Sequence, residues 1–350
     1  MEPKSVAPKD IESELTKIWD QLEGQGKMRS CLYNLIVYTR CTSRLPYLRE
    51  IVAKTINKFP SRIVFITSCE GDSINAKVSV LSSRTIACDL IEIELGDVLR
   101  DKITFLLLPY LVPDLPVYML WTEDLDGDST LDQVKNWVTR IIFDSEATDN
   151  LSRFAAAALK HTECDIADLN WGRIEGWRVL LNNLFKAPTK LDELKDTKKI
   201  HITYNCHETP YFCHTRIQAF YLQSWISTAL GWKFVSTKSH DRLFILRYEN
   251  VEITLEPVNF EQIAPGRIVT IEIQTGSGNH TLLQRSPETP HQIIIQHSTP
   301  DLCSLPTYFM FAKYESGQSL VNEICHLGTH PHYLRVLEQL SQINHTGLPT

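Results

Sequence analysis

Four short runs in the first half of the chain are apolar on both faces, and helical periodicity fills the gaps between them. The runs are residues 31–39 (CLYNLIVYT), 62–68 (RIVFITS), 116–121 (PVYMLW) and 140–144 (RIIFD). A strand with one wet face alternates polar and apolar residues, whereas a strand that does not alternate is covered on both sides. Residues 47–59 put Leu48, Ile51, Val52, Ile56 and Phe59 on one helical face, and Pro60 stops that helix. Residues 98–111 read as a buried helix, 130–138 as a short one, 151–161 as an alanine-rich one and 169–185 as a longer one. Buried strands alternating with helices predict an α/β domain, a mostly parallel sheet with helices on both faces. Residues 76–81 and 90–95 do alternate, which predicts an antiparallel edge.

With 350 residues the chain has room for two domains. Residues 1–27 carry a helix at 11–22, with Ile11, Leu15, Ile18, Trp19 and Leu22 on one face, packed on the first domain. The α/β domain runs over 28–187. Residues 188–199 are charged and nearly free of apolar side chains, which predicts a linker, with a solvated helix end as the alternative. Residues 200–350 change character. A strand at 200–205 and a helix at 216–230 precede strands at 242–248, 251–256, 267–275, 280–284 and 292–297, and helices at 319–326 and 332–343 close the chain. Consecutive strands followed by helices predict an α+β domain with an antiparallel sheet.

Charge removes several function classes. The net charge is −7, with 35 Lys and Arg against 42 Asp and Glu, so neither a nucleic-acid partner nor a membrane surface is expected. The most apolar stretch, 103–121, is interrupted by Pro109, Pro113, Asp114 and Pro116 and falls short of the roughly 20 residues of a spanning helix. Residues 1–10 hold no apolar signal core, and a cytoplasmic protein is expected. The nine cysteines are odd in number and scattered, with Cys31 and Cys69 inside apolar strand runs, which reads as reduced thiols.

Motifs for catalysis are missing. The chain holds no G-x-x-x-x-G-K-[ST], no G-x-G-x-x-G and no G-x-S-x-G, and no cofactor is expected. His207-Glu208 starts like a zinc-protease motif, but Tyr211 stands where the second histidine belongs. Asp124, Asp126 and Asp128 have calcium-loop spacing, yet Ser129 and Lys135 replace the required Gly and Glu. Cys206, His207, Cys213 and His214 form one zinc-compatible cluster, and Cys325, His326, His330 and His332 a second. Adjacent residues on a strand point to opposite faces, so neither set converges whole and no metal is predicted. Asp144, Glu163, Asp165 and Asp168 read as helix caps, with a catalytic carboxylate at a strand's carboxyl end as the alternative. Trp171, Arg173, Trp177 and Arg178 are of the types enriched in interface hot spots, and inter-domain or core packing is the alternative.

Five segments, taken in order, resemble the OpcA family of glucose-6-phosphate dehydrogenase assembly proteins. They are residues 34–38 (NLIVY), 59–66 (FPSRIVFI), 107–121 (LLPYLVPDLPVYMLW), 140–145 (RIIFDS) and 168–185 (DLNWGRIEGWRVLLNNLF), the last matching D-L-x-W-x-R-x-x-x-W-R. The family often carries paired cysteines before the strand at 90, and here Cys88 is followed by Asp89. The resemblance implies a non-enzymatic partner of glucose-6-phosphate dehydrogenase that favours its active oligomer and so supports NADPH production by the oxidative pentose phosphate pathway. In that frame Pro109, Pro113, Pro116 and Asp114 shape a rigid corner. Arg62, Arg173, Trp177 and Arg178 are the candidate partner contacts, with Trp171 beside them. The rival is an enzyme or metabolite-sensing module. It would bind a sugar phosphate at the strand carboxyl ends near Ser68, Trp121 and Asp144, with Arg62 and Arg140 on the phosphate.

Overall fold

The structure, a computed structural model, describes residues 3–22, 28–40, 42–55, 59–83, 86–125, 130–161, 163–211, 214–240, 242–312 and 317–343. The chain divides into two compact units. The first comprises Met1–Ser145, His161–Leu169 and Glu315–Thr329, and the second Glu146–Lys160, Asn170–Tyr314 and His330–Thr350.

The first unit is built on a nine-stranded sheet. Its strands are β1 (Lys4–Val6), β2 (Met28–Arg29), β3 (Asn34–Arg40), β4 (Arg62–Cys69), β5 (Ile74–Ser83), β6 (Ile86–Gly96), β7 (Val117–Trp121), β8 (Arg140–Phe143) and β9 (Asp165–Asp168). The order is β1-β5-β6-β4-β3-β7-β8-β9, with β2 beside β6. From β6 to β9 every pairing is parallel, and β5 runs antiparallel to both β6 and β1. β3, β4, β7 and β8 are the runs without alternation, as the pattern predicts; the alternating β6 pairs antiparallel with β5 but parallel with β4, so it lies inside the sheet and not at its edge. The core gathers Leu35, Val37, Ile63, Phe65 and Leu120 from the sheet with Leu48, Ile51 and Val52 of the helix Leu45–Thr55. Leu320 and Ile324 of the late helix Gln318–Cys325 join the same cluster. Apolar burial at about 25 cal/mol per Å² makes such a return of distant chain favourable.

The second unit carries an eight-stranded sheet. Its strands are β10 (Thr197–Asn205), β11 (Phe234–His240), β12 (Leu243–Tyr248), β13 (Glu252–Val258), β14 (Ile268–Thr275), β15 (His280–Arg285), β16 (Gln292–Ser298) and β17 (Thr307–Met310). The order is β11-β12-β13-β10-β14-β15-β16-β17, antiparallel except for β10 with β13. The α/β plus antiparallel α+β expectation therefore holds. The helix Ile217–Ala229 is buried nearly all round, and Gln223 inside it accepts a 2.6 Å hydrogen bond from Tyr248 Oη. The closing helix Pro331–Gln342 buries Tyr333, Val336, Leu337 and Leu340.

Several local expectations are corrected. Residues 98–111 are not a buried helix. The stretch is a 3-10 turn (Asp97–Lys102), one short helix (Ile103–Leu107) and a second 3-10 turn (Leu108–Tyr110). Only Ile103, Leu107 and Tyr110 are buried there, while Val98 is 71% and Phe105 78% exposed. Pro109 cannot donate to a helix ladder, so regular helix stops before it. Residues 169–185 form two helices, Leu169–Arg173 and Glu175–Leu184, because Gly172 and Gly176 weaken the turn between them. The expected linker 188–199 folds as the helix Pro188–Lys195 and the start of β10; its charge marks a helix with no buried residue. β1, β2, β9, β11 and β17 are strands the periodicity did not reveal. Cys69, expected as a reduced thiol, is disulfide-bonded. It sits partly exposed at the carboxyl end of β4, and one sequence run cannot disclose a cross-chain neighbour. Cys31, Cys88, Cys164, Cys206, Cys303 and Cys325 are free, and Cys41 and Cys213 lie outside the described residues.

Candidate functional site

An open α/β sheet binds ligands where its strand order reverses, outside the strand carboxyl ends. Here that point lies between β3 and β7. Tyr38 at the end of β3 and Trp121 at the end of β7 are fully buried and stack at 4.4 Å with 8° between their planes. Just beyond them, Glu123 Oε1 accepts from the Arg40 backbone N–H at 2.7 Å and from Thr39 Oγ1 at 3.2 Å. Burial pushes the Glu123 pKa up, and the Arg40 contact only partly opposes it. Arg44 donates to Asp144 at 2.7 Å, with both side chains buried. The turn from β3 into its helix, Thr42-Ser43-Arg44-Leu45-Pro46, has no glycine to let a pyrophosphate approach the backbone. Among the described residues, the strand carboxyl ends at this point carry a stacked pair of rings and a buried ion pair.

The rival reading needs Arg62 and Arg140 at this end, together with Ser68, Trp121 and Asp144. The structure separates them. Arg62 opens β4 and Arg140 opens β8, so both sit at strand amino ends. Six residues of strand place Ser68 about 20 Å from Arg62. Arg140 is committed to the carbonyls of Glu323, at 2.6 Å, and Gly328. The four carboxylates read as caps form pairs instead: Asp144 with Arg44, Glu163 with Lys135 at 3.3 Å, Asp165 with Thr329 N at 3.2 Å, and Asp168 with Ser145 Oγ at 3.0 Å. Their neighbours arrive from other elements, which local sequence does not show.

Arg62 anchors a network around Asp89. Its Nε and Nη2 donate to Asp89 Oδ2 at 3.0 and 2.8 Å, and its Nη1 donates to Glu12 at 2.7 Å and to the Tyr110 carbonyl at 3.0 Å. Arg29 and Trp19 complete the carboxylate's shell at 2.8 and 2.7 Å. Burial pushes the Asp89 pKa up, but the Arg29 hydrogen bond, the Arg62 charge and the Trp19 hydrogen bond together hold it below the usual carboxylate value. Arg62 is therefore a fold anchor and not a surface contact. Asp114 lies exposed with φ 63, a left-handed turn position that Asp tolerates. The brace of the proline corner is Asn34, fully buried, which donates to the Val112 carbonyl at 3.0 Å and accepts from the Val112 N–H at 2.7 Å.

The tryptophan–arginine helices belong to the second unit. Trp171 and Trp177 are each 2% exposed, so the sequence expectation of a surface hot spot gives way to core packing. The Arg178 guanidinium lies 3.6 Å over the Trp171 ring, which also meets Tyr333 at 5.7 Å. Arg173 pairs with the fully buried Glu146 at 3.0 Å. Trp177 meets Phe311 edge-on at 5.1 Å. Arg285 lies 5.5 Å from the Trp177 ring and 5.4 Å from that of Phe311. Together Arg173, Trp177, Arg267, Arg285, His291 and Phe311 line a cavity of about 230 Å³. Arg267, Arg285 and Phe311 were not legible as site residues, because they lie on β-segments roughly a hundred positions downstream with no motif around them.

The zinc candidates do not assemble. His207 Nδ1 lies 3.1 Å from Asn259 Oδ1, and His214 Nε2 lies 2.9 Å from Asp149 Oδ1. No three metal-ligating side chains come together among the described residues, and Cys213, Asp126 and Asp128 lie outside them. A different surface stands out in the second unit. Leu302, Leu305, Tyr308 and Met310, on and just before the outer strand β17, are 54–86% exposed. An edge strand with unpaired backbone groups and exposed apolar side chains is a ready template for another chain. Among the described residues no helix is long and apolar enough to cross a membrane.

A family model described as the glucose-6-phosphate dehydrogenase subunit N-terminal domain matches residues 53–159, and one described as the C-terminal domain of that subunit matches residues 164–337. The OxPP cycle protein OpcA of Synechococcus elongatus is 28% identical over 226 residues, covering 61% of this chain and 47% of that protein. Its namesake in Synechocystis sp. is 24% identical over 189 residues, covering 51% and 38%. The chain thus spans half or less of the length of these curated relatives. Among solved structures, the 3-ketoreductase KijD10 from Actinomadura kijaniata, determined with TDP-benzene and NADP, aligns with a TM-score of 0.50 at 9% identity, covering 88% of this chain and 95% of that one. That likeness is one of fold alone.

Proposed function

Because the chain belongs to the OpcA family of glucose-6-phosphate dehydrogenase assembly proteins, we propose that it is a non-enzymatic cytoplasmic accessory protein that binds this dehydrogenase and favours its active oligomer. The consequence is greater NADPH output from the oxidative pentose phosphate pathway. The observation that carries the reading is the pairing of both family domains, over 53–159 and 164–337, with a switch point occupied by Tyr38, Trp121 and the Arg44–Asp144 pair. The physical form of activation is linkage. A protein that binds the active oligomer more tightly than the inactive one shifts the equilibrium by that difference in affinity, and needs no catalytic residue.

The docking surface is the edge formed by Leu302, Leu305, Tyr308 and Met310. It lies within the stretch matched by the C-terminal family domain and presents apolar side chains beside β17, which among the described residues pairs with β16 and with no further strand. The test is the activity of purified glucose-6-phosphate dehydrogenase from the same organism, with and without this protein, while its oligomer size is followed. A stoichiometric rise in activity together with a size shift supports the proposal. Unchanged activity and no complex at micromolar excess sink it.

A further inference from the structure

Among the described residues, the cavity beside Trp177 holds a buried cation with no carboxylate partner. Arg285 is 6% exposed and donates from Nε to the Ile268 carbonyl at 2.9 Å and from Nη1 to the Pro290 carbonyl. Its guanidinium lies beside the Trp177 and Phe311 rings, 5.5 and 5.4 Å from their centroids, and among the described residues it meets no carboxylate. Burial first, and then the like charge of Arg267, push its pKa down. A guanidinium nevertheless keeps its proton in proteins. The penalty therefore remains in the folded protein as an attraction for an anion. Carbonyl oxygens and ring faces ease a buried cation, but a bidentate oxyanion is the stronger partner. Arg173 and His291 line the same space, so donors converge on it from the 169–185 helices, from the loop before β14 and from the end of β15.

We propose that this cavity binds a phosphate monoester, with the phosphate bridging Arg285 and Arg267 and the body of the ligand against Trp177 and Phe311. Three phosphate oxygens bearing a charge of about −1.5 to −2 satisfy two forked guanidiniums at once. At about 230 Å³ the cavity lies below the roughly 300–1,000 Å³ of drug-sized sites, so it takes one small ring and one phosphate rather than a dinucleotide. The inference goes beyond the dehydrogenase reading and does not depend on it.

The experiment is calorimetric titration of the whole chain, alone and at constant ionic strength, with inorganic phosphate, phenyl phosphate and succinate. Thermal shift is recorded in parallel. Phenyl phosphate is expected to bind several-fold more tightly than inorganic phosphate, because only it reaches the rings, and succinate is expected to bind weakly. Arg267→Gln changes a half-buried side chain. It is expected to lower phenyl phosphate affinity at least tenfold while the melting temperature in phosphate-free buffer stays put. Arg285→Met is the second variant; it removes the buried charge and is expected to abolish binding with the melting temperature unchanged or raised. No heat with any phosphate up to about 10 mM overturns the proposal. So does equal binding of succinate, or an Arg267→Gln protein that binds as well as the parent. The dehydrogenase is absent from every arm, so the outcome is separate from that of the activation assay.

Discussion

Arg62 and Asp89 sit on adjacent parallel strands and share two hydrogen bonds, at 3.0 and 2.8 Å, in a place where both side chains are less than a tenth exposed. Through them the N-terminal helix, by way of Glu12 and Trp19, is tied to the sheet and to the turn at Tyr110. A buried pair of this kind is costly to break from one side, because the remaining charge is left unanswered.

Arg62→Ala should therefore lower unfolding free energy by about 3–5 kcal/mol, with denaturant melts as the measurement. Its pH signature follows from the carboxylate. The folded pKa of Asp89 is depressed, so its stabilisation is complete above the ordinary carboxylate value and is lost as pH falls through the folded value. The stability gap between the parent and Asp89→Asn should be widest at neutral pH and close progressively below about pH 4. A gap that does not vary between neutral and acid pH would refute the ion-pair account.

Trp177→Ala should behave as a core truncation. Loss of the ring beside Phe311 and Arg285 is expected to cost about 3–5 kcal/mol and to lower the melting temperature before it changes any partner affinity. A folded, equally stable Trp177→Ala protein that fails only in dehydrogenase activation would return this residue to the interface.

The edge beside β17 gives the complementary prediction. Leu305→Asp and Tyr308→Asp lie at exposed positions, where substitutions usually fall within about 0.5 kcal/mol in stability. They should weaken complex formation with the dehydrogenase by tenfold or more. Full activation by the double variant would place the docking surface elsewhere.

Asn34→Ala should cost about 1–3 kcal/mol, because it leaves the half-buried Val112 N–H and carbonyl without their partner. Asp114→Ala, at the exposed turn, should be milder. Urea unfolding of the two variants compares them directly, and a larger loss at Asp114 would reverse the assignment of the brace.

Gly96 tests close approach rather than backbone freedom. A Cβ there would stand 2.4 Å from the Gly71 carbonyl oxygen and 2.8 Å from the Asp72 nitrogen, and both are backbone atoms. Gly96→Ala should destabilise the first unit by about 1–3 kcal/mol through forced backbone movement. Amide exchange at β4 and β6 would report the loosening.

The architecture was legible where the periodicity was strong. β3, β4, β7 and β8 are non-alternating runs, and their parallel pairing follows because a strand apolar on both faces must be covered on both. The helix Ile11–Leu22 follows from spacing alone, and the family followed from the order of five segments. What sequence could not give is which distant groups meet. Tryptophan and arginine at 171–178 have the composition of a hot spot whether they face a partner or their own core, and only packing against Tyr333, Phe311 and Glu146 decides it. Asp89 looks like one more carboxylate until Arg62, Arg29 and Trp19 close on it, and Arg285 looks like an ordinary strand residue until the Trp177 and Phe311 rings come to lie beside it. Local propensity and hydrophobic period are properties of neighbouring residues, so the sequence by itself determined the elements and their buried faces. Ion pairs, cavities and exposed edges depend on positions that can lie more than a hundred residues apart, so only the tertiary structure decided them.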